Sequence, residues 1–135
     1  MKELVIEAKT ENLHAVLAFV DEALENVHCS KDVQMPLELA VEEIFVNIAS
    51  YAYHPETGSA TIRVELMAEP LSVKLTFIDH GVPYDPLSKE DPDMTQSIEK
   101  RPIGGLGIFL VKKNVDDVHY EYRNRQNILT IRKKL

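Results

Sequence analysis

Two alternating apolar runs, one short turn apart, constrain the fold of this chain more than any other feature. Every second position is apolar in both: Ala60, Ile62, Val64 and Leu66 in the first, and Leu71, Val73, Leu75 and Phe77 in the second. A period of two predicts strands with one buried face. Because only the Glu69-Pro70 turn separates them, the strands must pair as an antiparallel hairpin, which excludes an all-parallel doubly wound sheet.

Helical periodicity and stop signals predict the elements around this hairpin. Before it, apolar residues with helical spacing predict two helices, and His54-Pro55 stops the second. In chain order we predict a strand at 2–8, a helix after Thr10 or Asn12, a helix from Ser30 or Asp32 to about Tyr53, the hairpin, an irregular segment at 81–107, a helix at about 108–114, and strands at about 116–124 and 127–134. This order predicts an α/β (α+β) two-layer sandwich, in which a mixed, mostly antiparallel sheet has helices on one face. The length of 135 residues suits a single domain over 1–135.

An excess of acidic residues narrows the functional classes. Fifteen Lys and Arg residues against 22 Asp and Glu residues give a formal net charge of −7. This charge argues against direct binding to nucleic acid or to an anionic membrane as the main activity. No apolar run approaches the roughly 20 residues of a membrane span, and acidic residues interrupt the N-terminal segment before a signal-type region develops. We therefore expect a cytoplasmic protein. The acidic net charge does not exclude phosphate binding, because backbone N–H groups can bind phosphates.

Glu43 and Asn47 are the notable polar residues of the second predicted helix. On a helical wheel its core stripe consists of Leu37, Val41, Ile44 and Ile48. Glu43 and Asn47 are four residues apart and lie one above the other at the edge of this stripe, whereas Glu42 points to solvent. Their oxygen atoms suit Mg²⁺, which takes few protein ligands beside substrate phosphates, and Glu43 could deprotonate a hydroxyl. The alternative is an ordinary surface pair on an amphipathic helix.

Asp79 ends the second strand of the hairpin on its apolar side. Strand parity places Asp79 on the same face as Leu75 and Phe77. A carboxylate there is costly unless it accepts hydrogen bonds. The exocyclic amino group of adenine is one candidate donor, and Gly81 would let the backbone approach the base. The alternative is an aspartate that closes the turn before Gly81.

A glycine-rich segment, Gly104-Gly105-Leu106-Gly107, runs directly into the short predicted helix. Glycines expose backbone N–H groups, and a helix N-terminus adds a positive dipole, so the segment suits phosphate. Its spacing matches neither the P-loop nor the dinucleotide-binding fingerprint. A flexible turn is the alternative.

Taken together, these segments resemble the GHKL superfamily of ATPases and kinases, and in particular the anti-sigma factor serine kinases. Three motifs carry the resemblance in the right order: the N box at Glu43-x-x-x-Asn47, a first glycine box at residues 79–86 (DHGVPYDP), and a second glycine box at residues 104–111 (GGLGIFLV). The ending, residues 127–135, is similar to the closing strand of that family. The resemblance covers almost the whole chain and implies a histidine kinase-like ATPase fold.

The resemblance also implies roles for individual residues. Glu43 corresponds to the general base, Asn47 to the Mg²⁺ ligand, and Asp79, with Gly81 beside the base, to the acceptor of the adenine amino group. The implied phosphate lid spans about 87–107. The implied hinge and phosphate cradle of this lid are Gly104, Gly105 and Gly107, and Leu106 between them is implied to bind ATP. Thr130 is implied to contact the adenine region.

A protein-serine kinase is the function that the resemblance implies. The cofactors would be ATP and Mg²⁺, the substrate a serine on a STAS-type anti-sigma factor antagonist, and a further partner a sigma factor, with the kinase itself a homodimer. The alternative is a non-catalytic module that binds ATP and sequesters a protein partner. Tyr51 departs from the pattern, since the family often has histidine at this position of the N box.

Overall fold

Five strands form one sheet in the computed structural model, which describes residues 1–88 and 106–135 of the chain. The strands are β1 (Lys2–Glu7), β2 (Ser59–Met67), β3 (Ser72–Asp79), β4 (Asp117–Arg123) and β5 (Gln126–Lys134). Their spatial order is β1-β2-β3-β5-β4, and every pair within the described ranges is antiparallel. The predicted hairpin is β2-β3, and the predicted fold class is confirmed.

Three α-helices accompany this sheet in the described residues. They are α1 (Leu13–Glu25), which follows a 3₁₀ turn at Thr10–Asn12, α2 (Lys31–Asn47), and α3 (Leu106–Asn114). Ser30 occupies the N-cap position of α2 without a side-chain hydrogen bond to its first turn. At its other end α2 continues into a π-helical turn, Ile48–Ala52. Such turns are rare and are frequent at functional sites. No helix in the described part of the chain is both long and apolar enough to cross a membrane.

The core lies between the helices and one face of the sheet. Alternate residues of β2, β3 and β5 are buried against the apolar stripes of α1 and α2. All four residues of the predicted stripe on α2 are buried, and Glu42 is exposed. Leu66 and Leu71, which we predicted on the core face, are instead 39% and 44% exposed. These two residues flank the turn of the hairpin, beyond the part of the sheet that the core covers.

The register of the sheet brings the ends of two strands together where a site can form. Asp79, the last residue of β3, lies directly opposite Asn127 of β5. The helix α2 packs against α3, and Glu43 in its C-terminal half lies close to Gly107 at the start of α3. The N box and the first glycine box therefore lie on two sides of one space.

Candidate functional site

A cavity of about 640 Å³ opens between the helical layer and the β3-β5 end of the sheet. This volume lies within the range of about 300–1,000 Å³ that is usual for small-molecule sites. Its lining combines apolar side chains with a smaller number of polar ones. The lining residues that matter for the site are Glu43, Asn47, Tyr51, Asp79, Tyr84, Gly107, Tyr120 and Asn127. Apolar walls with a few placed polar groups are typical of sites that bind small molecules.

Asp79 lies at the sheet side of this cavity and is only 5% exposed. Its Oδ1 atom accepts hydrogen bonds from the Gly81 backbone N–H and from Asn127 Nδ2, both at 2.9 Å. Within residues 1–88 and 106–135, Oδ2 accepts none. Asp79 therefore closes the turn through Oδ1, as the alternative interpretation has it.

Asn127 is a site residue that the sequence reasoning missed. It is 7% exposed, lines the cavity, and lies on the core-facing side of β5 together with Leu129 and Ile131. Strand parity, the signal that singled out Asp79, would also have singled out Asn127. A polar residue at a core-facing position of a strand requires partners, and this asparagine has several.

Gly81 is held against the end of the π-helical turn. A Cβ atom at Gly81 would lie 2.2 Å from the carbonyl oxygen of Ala52, and this oxygen accepts a hydrogen bond from the Val82 N–H at 3.0 Å. The close approach that this glycine permits is therefore to the α2 layer. Gly81 does not line the cavity, although we expected it beside the base.

Tyr53 links the ends of two neighbouring strands, β2 and β3, through its hydroxyl group. Its hydroxyl donates to the Ser59 carbonyl oxygen and accepts from the His80 N–H, each at 2.7 Å. Burial raises the pKa of Tyr53, with a smaller opposing effect from the His80 hydrogen bond. The hydroxyl thus connects the start of β2 to the residue that follows β3.

Glu43 and Asn47 line the helix side of the cavity, and both are half-buried. Gly107, at the start of α3, lies so close that a Cβ atom on it would be 2.8 Å from Glu43 Oε2. The carboxylate and the amide oxygen are hard donors of the kind that Mg²⁺ prefers. The chemistry of these two side chains therefore fits a magnesium ion.

The other predicted site residues have different placements. Gly104 and Gly105 lie outside the described residues, whereas Leu106 begins α3 and Gly107 lines the cavity. Tyr51 also lines it and is 68% exposed.

Thr130 does not line the cavity. Its neighbours Leu129 and Ile131 are buried on the helix side of β5, so the side chain of Thr130 lies on the opposite face, beside His119. Because side chains alternate along a strand, Thr130 lies on the face of β5 that points away from the cavity. Its contact with the adenine region stays a prediction.

Comparisons with known proteins agree with this architecture. The family model described as the histidine kinase-like ATPase domain matches residues 6–133. A serine/threonine-protein kinase BtrW from Bordetella bronchiseptica is 29% identical over 102 residues, which cover 76% of this chain and 71% of that protein. Serine-protein kinases RsbW from Bacillus mycoides and Bacillus cereus are 25% and 26% identical over 131 residues, which cover 94% of this chain and 81% of theirs. With a family match over nearly its whole length and the fold to go with it, this chain belongs to the histidine kinase-like ATPase family.

Proposed function

We propose that this chain is a Mg-ATP-dependent protein-serine kinase of the anti-sigma factor type, which phosphorylates a serine on a STAS-type antagonist protein. It also binds a sigma factor, so that the kinase switches between two protein partners. It acts in the cytoplasm as a homodimer, and residues 1–135 form one catalytic domain. Membership of the ATPase family and the kinase names of the relatives support the activity. One observation carries the proposal: a single cavity of nucleotide size is lined by Asp79, Glu43 and Asn47.

Asp79 would bind the adenine ring of ATP. Its Oδ2 atom is the oxygen that accepts no hydrogen bond from the described residues, and the 6-amino group of adenine is a donor. Apolar side chains of the same cavity, among them Ile44, Ile48 and Phe77, would cover the faces of the ring. A buried carboxylate needs donors, so ligand binding would complete the hydrogen bonding of Asp79.

Asn47 would hold Mg²⁺ through its amide oxygen, and Gly107 would leave room for the triphosphate at the start of α3. When bound, the ion would neutralise charge on the phosphate oxygens. The N-terminus of α3 favours anions through its backbone N–H groups and its dipole. These contributions position the nucleotide, and phosphoryl transfer depends mainly on positioning and charge stabilisation.

Glu43 would act as the general base. Its carboxylate lines the cavity and is half-buried. It would accept the proton of the substrate serine while the serine oxygen bonds to the γ-phosphorus and the bond to ADP breaks. A positioned base contributes roughly 10²–10⁴-fold to such reactions.

The test is phosphate transfer from Mg-ATP labelled at the γ-position to candidate antagonist proteins, with Glu43→Gln compared with Glu42→Gln. Glu42 is the exposed neighbour and does not line the cavity, so its variant is a matched control for the loss of one charge. We expect label on a serine with the wild type and the control, and ATP binding without transfer with Glu43→Gln. Binding of ATP by the wild type with no transfer to any candidate would favour the non-catalytic module. No binding of ATP would contradict both functions.

A further inference from the structure

We propose that Asn127 is a positioning residue that fixes Asp79 as a hydrogen-bond acceptor and so makes the cavity read the 6-amino group of a purine. The inference rests on the proposed function, because it requires that the cavity hold a purine nucleotide. It goes beyond that function by assigning base selection to a second residue, on a different strand, whose side chain acts through Asp79.

Backbone groups fix the orientation of the Asn127 amide. The Tyr84 N–H, which can only donate, lies 3.2 Å from Asn127 Oδ1, and the Val82 carbonyl oxygen, which can only accept, lies 2.9 Å from Nδ2. Rotating the amide by half a turn would place donor against donor and acceptor against acceptor at these two contacts. The orientation therefore follows from hydrogen-bond chemistry alone.

The same logic extends to the two side chains that contact this amide. Since Oδ1 of Asn127 can only accept, the Tyr120 hydroxyl beside it must donate. Since Nδ2 can only donate, the Asp79 oxygen beside it must accept, and that oxygen also accepts from the Gly81 N–H. Donors thus converge on Oδ1 of Asp79. A carboxylate is an acceptor at both oxygens, so Oδ2 offers an acceptor to whatever occupies the cavity.

A fixed acceptor selects a donor at the facing position of the ligand. Adenine has an amino group at its 6-position, whereas guanine and hypoxanthine have an oxygen there. A site with a buried acceptor discriminates strongly against ligands that lack the matching donor, because the acceptor is then left unpaired. Replacing Asn127 by aspartate would put two carboxylates in contact, which would then share a proton. The hydrogen bond between residue 127 and Asp79 would then no longer have one fixed donor, and Asp79 would no longer be a fixed acceptor.

The experiment is calorimetric titration with the magnesium complexes of ATP and of purine riboside triphosphate, which differs from ATP only in lacking the 6-amino group. The variant is Asn127→Asp. The matched control is Gln126→Glu, which adds the same charge at the neighbouring residue of β5, outside the cavity lining. We expect the wild type and the control to prefer ATP by about tenfold or more, the equivalent of ~1.4 kcal/mol. We expect Asn127→Asp to lose most of this preference, mainly through weaker binding of ATP.

A ratio of affinities separates this role from a merely structural one, because damage to the cavity would weaken both nucleotides alike. A folded Asn127→Asp protein that keeps the wild-type preference would overturn the inference and leave the proposed function standing. A wild type that binds neither nucleotide would contradict the proposed function itself. If Asn127→Asp does not fold, Asn127→Ala decides: removal of the Nδ2 donor to Asp79 should lower the preference, and an unchanged preference would overturn the inference.

Discussion

The carbonyl oxygen of Ala52 lies only 2.2 Å from the point that a Cβ atom at Gly81 would occupy. This contact joins the π-helical turn that follows α2 to the turn that follows β3. Asn47 is the last residue of α2 and Asp79 the last residue of β3, so each comes just before one of these two turns. The contact therefore sets the distance between the side of the site that we assign to magnesium and the side that we assign to adenine.

Replacing Gly81 by alanine should destabilise the protein and weaken ATP binding together. The two atoms nearest to the new Cβ are the carbonyl oxygen and the carbonyl carbon of Ala52. Both belong to the backbone, so no side-chain rotation can relieve the clash. We expect a loss of about 1–3 kcal/mol in the free energy of unfolding, the usual cost of overpacking. Urea denaturation measures this loss, with His80→Ala at the exposed neighbouring residue as the control. Wild-type stability in Gly81→Ala would show that the two turns are free to move apart.

Replacing Gly107 by alanine should lower phosphate transfer without lowering stability, in contrast to Gly81→Ala. The atom nearest to its new Cβ is Oε2 of Glu43, the end of a flexible side chain, at 2.8 Å. Stability should hold or rise, because alanine is favoured over glycine in a helix by up to about 1 kcal/mol. Phosphate transfer should fall by about tenfold or more as the carboxylate is displaced, within the roughly 10²–10⁴-fold contribution of a base.

Transfer assays and thermal unfolding on the same Gly107→Ala protein separate the two effects. An unchanged transfer rate would mean that the position of the Glu43 carboxylate does not matter for the reaction.

Tyr53 should make the protein sensitive to alkaline pH. Burial raises its pKa above the ordinary value of 10.0, so between the two pKa values the unfolded chain has lost a proton that the folded protein keeps. The stability that this contributes is complete below the unfolded pKa and is lost as pH rises through the folded pKa. We expect Tyr53→Phe to show a smaller loss of unfolding free energy above about pH 10.

Tyr53→Phe should also be less stable at neutral pH, by about 0.5–1.5 kcal/mol for each of the hydrogen bonds to Ser59 and His80. Tyr122→Phe is the control, since that side chain is exposed. Denaturation at neutral and alkaline pH measures both effects. Identical pH dependence in Tyr53→Phe and the wild type would remove Tyr53 from this account.

Periodicity in the sequence located most of the site, because periodicity reports which face a side chain lies on. Helical spacing predicted that Glu43 and Asn47 would lie at the rim of a buried stripe, and strand parity predicted that Asp79 would face the core. Strand parity also predicts that Asn127 faces the core, although it was not applied to β5. Thr130 was assigned by resemblance against the parity of its own strand, and the structure places it on the other face.

Contacts between distant elements could not be predicted in this way. The sequence favours a turn at Gly81, but the reason for a glycine there is the Ala52 carbonyl, which only the packed structure brings close. The same holds for Gly107 against Glu43 and for the hydroxyl of Tyr53 between Ser59 and His80. Each depends on how two elements pack, whereas a pattern within one element reports only its own faces.

Calorimetric titration with Mg-ATP, comparing the wild type with Asp79→Asn, tests the central claim most directly. Donors from Gly81 and Asn127 would hold the amide oxygen of the new asparagine in the place of Oδ1, so its NH₂ group would face the 6-amino group, donor against donor. We predict a loss of about 2–3 kcal/mol in binding free energy, the scale of a lost hydrogen bond to a charged group. Asp117→Asn, which removes the same charge from the exposed face of β4, should bind as the wild type does. Equal affinity of Asp79→Asn and the wild type for Mg-ATP would contradict the account.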